Sequence, residues 1–498
     1  MATDNSTFFP NRKALSQEFS YTPKPSSVNG RTFRVSVPSS NATSFVAGQT
    51  MVFNIPCGRR NCVLDPTSSY IRYTIKMAAT TVGTQTASAV SSTVNGLYNT
   101  QLFGTGAFCD HNAYSVFNTT TLYSGSNMIE YINGSNVLYS HILDTNFSYS
   151  NALSNSLHYG MYVPDVSPLE IRKGNLFLTS PLSSATPTAF SQSATGTAST
   201  SIAEQNTFCL PLLSGLLGIG SSGKMVPIYA INDVLRLEIL LENQTQAFVQ
   251  LGNGSATYTI INAELELQYI ELSDEGMSLV NSSTPAGSPI FIVGNSFRHY
   301  VQTIKNGTTG IYSCLVPSKL ASLKALHILP RRNTEINSAT SYSLSSRVNP
   351  YFDYVVLKVS GTQVPQKPIL LQGTSTTGGF GEGLVELQKC FGSLIATDKS
   401  GLLNTSNYNV AVTANTTTGV LAVSTDLNSY KNAFALGIDF ELFGSKDTVI
   451  NGLNCLAESL YFEANISTDP GADFTLDFFA SFDNLFIVDQ TGYVSSRA

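Results

Sequence analysis

Tryptophan is absent from the 498 residues, and charged side chains make up only 12% of them, about half the usual share. Helices of globular proteins carry Glu, Lys and Arg on their wet faces, so this scarcity argues against a helical protein. No run reaches the roughly 20 apolar residues of a spanning helix. No dense basic block occurs either: 27 Lys plus Arg stand against 33 Asp plus Glu, for a net charge of -6. A surface that neutralised many phosphates would show such a block, so the composition argues against direct nucleic-acid binding. Arg59-Arg60 and Arg331-Arg332 are isolated pairs that read as turn or loop features.

The segment Met1 to Tyr21 is polar and holds no apolar core of signal-peptide length, so the expectation is synthesis in a reducing compartment. The seven cysteines (Cys57, Cys62, Cys109, Cys209, Cys314, Cys390, Cys455) fit that expectation, being odd in number and scattered. Cys57 and Cys62 form a C-x4-C pair, but no second pair completes a zinc site. Burial as small apolar groups is the reading for all seven. Sequons such as Asn5-Ser6-Thr7, Asn41-Ala42-Thr43, Asn118-Thr119-Thr120 and Asn465-Ile466-Ser467 are expected to stay unmodified without a secretory route.

What is present is Ser, Thr and Asn throughout, with 28 Phe and 23 Tyr. Thr, Tyr, Phe and Val suit a half-buried pleated sheet, and Ser, Asn and Gly its turns. Tyr70 to Met77 places apolar residues at every other position, the period of a strand with one dry face. Met51 to Ile55, Val116 to Tyr123, Ile171 to Leu178, Thr207 to Leu213, Val234 to Leu241 and Thr257 to Leu272 read as further strands. In the last, Ile261, Ala263, Leu265, Leu267 and Tyr269 share one face and Glu264 and Glu266 the other. Met128 to Leu143 approximates a helical stripe broken at Asn133-Gly134, predicting one or two short helices across a sheet end. Pro181 to Thr200 is a Ser/Thr/Ala loop that no core would hold.

Past Asn281 to Ser288 the order partly repeats. Ile311 to Val316 stops at Pro317 as Ile55 stops at Pro56, and Leu323 to Leu329 follows as a strand. Asp353 to Val359 runs into Ser360-Gly361 as Leu122-Tyr123 runs into Ser124-Gly125. Leu384, Leu387, Phe391 and Leu394 then sit at helical spacing. Thr475 to Val488 closes the second half as Thr257 to Leu272 closes the first, with Phe434 to Phe443 and Leu460 to Asn465 as an extra pair before it. Short strands with one apolar face need an opposing sheet. The fold class is therefore all-β: two tandem jelly-roll sandwiches with short helices at the sheet ends. The expected division is an arm over 1–43, a first roll over 44–280, a linker over 281–288, a second roll over 289–492 and a tail over 493–498.

Catalytic constellations do not emerge. His111, His141, His158, His299 and His327 form no ligand spacing with each other or with cysteine. His327 lies within the apolar run 326–329 and reads as a strand residue. Cys109, Asp110 and His111 superficially suggest a thiol and its base, but neighbours on a strand point to opposite faces. The glycine-dense stretch 378–383 lacks the Lys and hydroxyl of a phosphate loop. Asp473, Asp477 and Asp483 are too few for the six to eight oxygens of calcium. No catalytic, cofactor or metal residues are assigned, and a non-enzymatic role is expected.

Four stretches carry a family resemblance. They are Thr121 to Glu130 with the apolar segment up to Leu143; Val316 to Leu326; Val359 to Pro365; and the end, where Phe434 to Glu441 leads to Ile450 to Asn454 and then Phe478 to Gly492. Over residues 45 to 492 the chain resembles the double jelly-roll major capsid proteins of tailless icosahedral DNA viruses, those of polinton- and virophage-like elements above all. The resemblance implies a homotrimer of pseudo-hexagonal outline that meets neighbouring capsomers, penton and minor capsid proteins in a shell. It implies location in the virion, after synthesis in the host cytoplasm and assembly in the nucleus or a viral factory. An internal membrane beneath the shell is left open by it. Loops at Ala78 to Thr93 and Pro181 to Thr200 would form outer contacts, and the lead-in or tail would face inward or clamp neighbours. The rival class is a secreted or surface lectin-like sandwich binding glycans, favoured by the sequons and the polar, low-charge composition.

Deletion of Pro181 to Thr200 is expected to leave the chain folded, its melting temperature shifted by no more than about 4 °C, the change that 1–2 kcal/mol makes in a domain of this size. Circular dichroism melts of the deletion variant check this, and an unfolded product would refute the loop assignment.

Overall fold

The computed structural model of the chain describes residues 30–79, 106–148, 159–160, 176–178, 205–251, 256–283, 288–336, 344, 347–371, 381–391, 403, 408, 433–441 and 452–498. The first half supplies strands β1 (Gly30–Pro38), β2 (Thr50–Ile55), β3 (Cys62–Ala79), β4 (Phe117–Ser124), β5 (Asn127–Asn133), β6 (Gln205–Pro211), β7 (Leu235–Leu241) and β8 (Ala256–Leu272). They pair as two sheets, β1-β8-β3-β6 and β2-β7-β4-β5. The second half supplies β9 (Ile290–Ile304), β10 (Gly310–Val316), β11 (Leu323–Arg332), β12 (Phe352–Val359), β13 (Thr362–Leu370), β14 (Leu436–Asp439), β15 (Leu460–Ile466) and β16 (Phe474–Val488). Their sheets run β9-β16-β11-β14 and β10-β15-β12-β13. The second order is the first with each label raised by eight, so one jelly-roll topology occurs twice.

The longer helices are α1 (Ser135–Asn146), α2 (Asp274–Ser283) and α3 (Glu382–Cys390). α1 and α3 occupy equivalent places, each after the fifth strand of its roll. Gly125 and Gly361 turn the equivalent hairpins β4–β5 and β12–β13 with positive φ of 56° and 86°, a conformation that glycine adopts without steric cost.

Alternation builds both cores. Met51, Phe53 and Ile55 on β2 face Ile71, Tyr73, Ile75 and Met77 on β3, all buried. In the second roll Phe462 on β15 meets Phe478 on β16 edge-on, with ring centroids 5.4 Å apart.

Several expectations are corrected. Residues 30–38, placed in the arm, form β1, which pairs along its whole length with β8. Val494–Arg497, placed in the tail, pairs with β16. Met128 to Ile132 is strand rather than helix: the tight turn after Ser124 folds it back on β4. Phe434 to Phe443 and Leu460 to Asn465 are no extra pair; their strands β14 and β15 are the counterparts of β6 and β7. On β8 the inward set is Tyr258 and Ile260, then Ala263 to Tyr269, because a bulge near Asn262 (φ 53°) shifts the register and leaves Ile261 outside it. Arg331 and Arg332 are buried at the end of β11, not in a turn. Most of the loops at Ala78 to Thr93 and Pro181 to Thr200, with His158 and residues 392–394 of the expected helix, lie outside the described residues.

Truncating Phe478 to alanine removes a fully buried ring from the second core and is expected to cost about 3–5 kcal/mol. Denaturant unfolding of F478A measures it.

Candidate functional site

The most distinctive chemistry lies where the two rolls meet. Strands β11 and β16 are buried along nearly their whole length, so the sheet β9-β16-β11-β14 is dry on both sides along these two strands. One side faces the core of its own roll. The other is covered by α1 of the first roll and α3 of the second. α1 is buried from Ser135 to Thr145, as expected of a helix enclosed on all sides. Its stem is fixed by Gly134, at φ 62°, whose added Cβ would lie 3.2 Å from His299 and 3.3 Å from Phe479. Close approach recurs beside it, where a Cβ on Gly294 would fall 2.0 Å from the Gly215 carbonyl oxygen.

Several of the polar groups enclosed in this seam bond to one another across it. Asp144 on α1 pairs with Arg347 of the second roll, and neither side chain is more than 1% exposed. Its other oxygen lies 2.7 Å from His111 Nε2. Leu344 donates its backbone N–H to Asp110 Oδ2 at 2.6 Å. Glu130 on β5 accepts from Ser214 Oγ (2.5 Å) and the Gly215 N–H (2.7 Å) of its own roll, and from Ser296 Oγ (2.6 Å) of the other. Burial raises the Glu130 carboxyl above its ordinary range, opposed by those three donors. Within the second roll, His299 Nε2 lies 2.8 Å and Arg331 Nε 2.5 Å from the two oxygens of Asp477. Burial alone would raise Asp477, but the Arg331 charge and the His299 hydrogen bond hold it below the usual carboxylate range.

A histidine pair bridges the seam as well. His141 Nε2 on α1 lies 3.4 Å from His327 Nδ1 on β11, and Phe391 packs against both rings. Burial pushes His327 down to about 4, and burial with the neighbouring His327 and Arg347 holds His141 well below its ordinary value. Both rings are neutral at neutral pH.

These contacts place the residues weighed from sequence. His111 spends both ring nitrogens, on Asp144 and on Asn112 Nδ2 at 2.9 Å, while burial pushes the Cys109 thiol far up; the pair is no nucleophile and base. Asp473 is engaged by Lys305, Asp477 by His299 and Arg331, and Asp483 by Ser322. Among the described residues no three His, Cys, Asp or Glu side chains gather as a metal site, and no helix is long and apolar enough to cross a membrane. All seven cysteines are free. Sequence reasoning missed Glu130, Asp144 and Arg347. A charge inside an apolar segment, as at Glu130 and Asp144, was the available signal.

No family model matches the chain, and no curated protein matches it in sequence. Solved structures do match. PBCV-1 VP54, in a crystal structure fitted into a reconstruction of the virophage Sputnik, superposes with a TM-score of 0.55 at 9% identity over 96% of this chain and 99% of that one. The Faustovirus major capsid protein gives 0.53 at 13% identity over 95% and 93%. The mavirus major capsid protein gives 0.50 at 10% identity over 100% and 95%. The chain shares their fold from end to end.

Arg347→Ala leaves Asp144 buried without its cation and is expected to cost about 3–5 kcal/mol, read by denaturant unfolding. The histidine pair sets an acid limit: stability is fully present above the ordinary value of 6.5 and is lost as pH falls toward about 4. His327→Phe should flatten that fall, by on the order of 3 kcal/mol, in melts recorded from pH 7 to 4. Glu130 acts oppositely, its share being complete below the ordinary 4.5 and lost as pH rises through the raised value.

Proposed function

We propose that the chain is the major coat subunit of an icosahedral virus shell, with three copies forming a capsomer of pseudo-sixfold outline. The observation that carries this reading is the tandem roll itself, end to end in the fold of viral major capsid proteins. The rolls comprise a first from Gly30 through α2 and a second from Ile290 through Val488, with Val494–Arg497 added to the second on β16.

The seam supplies a physical reason for the trimer. It joins unlike faces: the α1 side of the first roll lies on the β9-β16-β11-β14 face of the second. Head-to-tail contacts of this kind close into rings when the rotation allows. Three chains would set six rolls around such a ring. The low charge supports wide contact as well, since Ser, Thr and Asn lose less on leaving water than Lys and Glu. Such a subunit resides in the virion, meets neighbouring capsomers, penton and minor proteins, and performs no catalysis. The apolar side chains of Ile311, Leu315 and Tyr461, exposed on β10 and β15, suit contact between capsomers.

Sedimentation at micromolar concentration is expected to give a species of three times the 53.4 kDa chain mass. Electron microscopy of concentrated material should then show pseudo-hexagonal particles. A monomer under both conditions would count decisively against the coat assignment.

A further inference from the structure

Strand β5 is held to the second roll at both ends. Its far end runs into the stem of α1, where Gly134 lies against His299 and Phe479. Along its middle, Asn484 Nδ2 donates to the Ile129 carbonyl at 3.4 Å and Ser296 Oγ to Glu130 at 2.6 Å. Its near end, about 20 Å away along a strand of seven residues, is gripped differently. After β16 the chain turns back through residues 489–494, and Val494–Arg497 pairs with β16. That turn builds itself. Asp489 Oδ1 accepts from the Thr491 N–H (2.9 Å), Thr491 Oγ1 (2.7 Å) and the Tyr493 N–H (2.9 Å), while the Gly492 N–H donates to the Asp489 carbonyl at 3.1 Å.

The folded turn then presents its backbone to the first roll. The Thr491 carbonyl accepts from Asn232 Nδ2 at 2.7 Å, and the Gly492 carbonyl from the Asn232 N–H at 3.0 Å. The Val494 carbonyl accepts from Asn127 Nδ2 at 3.3 Å, and the Val494 N–H donates to Ser124 Oγ at 3.4 Å. Glycine is required at 492, where φ is 82° and a Cβ would lie 2.6 Å from the Asn232 side chain and 2.8 Å from its backbone nitrogen. The surroundings are unlike those of α1. Asp489, Thr491 and Asn232 are exposed, and Val494 is the one buried apolar side chain of residues 489–494. Hydrogen bonds in contact with water, backed by little apolar burial, mark a segment that opens locally, at the low end of a protein's range of stabilities.

We propose that residues 489–494 are a latch that opens and closes over Ser124, Asn127 and Asn232 by itself while α1 stays enclosed. Asn484 and Ser296 keep their hold on Ile129 and Glu130, so the opening stops there. The joined rolls thus have one end that yields without unlocking the rest.

Native-state hydrogen exchange on the full chain tests this, because one backbone amide crosses between the rolls at each place. The Asn295 N–H donates to the Gly220 carbonyl in the seam, and the Asn232 N–H to the Gly492 carbonyl at the latch. The amides of Asn232 and Val494 are expected to exchange at least about 100-fold faster than that of Asn295, at a rate indifferent to low denaturant, while exchange at Asn295 accelerates with it. N127A/N232A alters the first-roll half of the contact and G492V the other half. Each should raise exchange at positions 232 and 494 by at least about tenfold and leave Asn295 unchanged. Equal rates and equal denaturant dependence at Asn232 and Asn295 in the wild type overturn the proposal, and that comparison stands even if a variant fails to fold. A folded variant that leaves positions 232 and 494 unmoved, or that raises Asn295 as much, overturns it too.

Discussion

The arrangement of the two rolls depends on keeping water off both sides of strands β16 and β11. A sandwich needs only one dry side per sheet, and the second dry side here comes from α1, a helix of the other roll, together with α3. Closing that side encloses charge. Asp144 and Arg347 lie there with 1% and 0% of their side chains exposed, where an unpaired ion would cost several kcal/mol. Each makes the other tolerable, and only one position of the rolls brings them together. Apolar packing would hold the rolls with similar strength but less selectively, and the buried pair with its His111 partner discriminates between positions.

Glycine makes the approach possible where side chains would hold the rolls apart. Gly215, Gly220 and Gly294 meet so closely that a Cβ on Gly220 would lie 2.0 Å from the Asn295 carbonyl oxygen. At that separation backbone bonds across the seam form, with Asn295 N–H donating to Gly220 at 2.7 Å. Glu130 reaches Ser296 in the same place. Contact between backbones and the enclosed carboxylate are thus two consequences of one omission of side chains.

The fold was legible because strand alternation is local. Tyr70 to Met77 declares its dry face over eight residues, and turn glycines after β4 and β12 mark equivalent hairpins. Where a local signal was ambiguous, the reading slipped: Met128 to Ile132 has apolar residues at spacings that suit helix or strand, and only the pairing with β4 decides. The seam was not legible for a different reason. Asp144 and Arg347 are 203 positions apart, and Glu130 and Ser296 are 166 apart. A charged residue inside an apolar segment shows that a partner exists without showing where it is. Arg331 looked like half of an exposed basic pair, because its partner Asp477 lies 146 positions away.

The composition that first set the chain apart now has a structural reason. The seam is lined by Ser214, Ser296, Ser481, Asn295 and Asn484, and its charged members are few. Small hydroxyl and amide groups lose little on leaving water, whereas a buried carboxylate or ammonium needs an ion or several donors of its own, as Glu130 shows. A chain that encloses a polar seam of this kind gains by keeping charge scarce and placing it deliberately. Scarce charge and an inward-facing histidine pair also tie the seam to pH. His141 and His327 are neutral when buried, so acid opposes the enclosed state while Glu130 favours it. Whether the rolls stay locked as pH falls is then decided by which of these groups takes up its proton with the seam still closed.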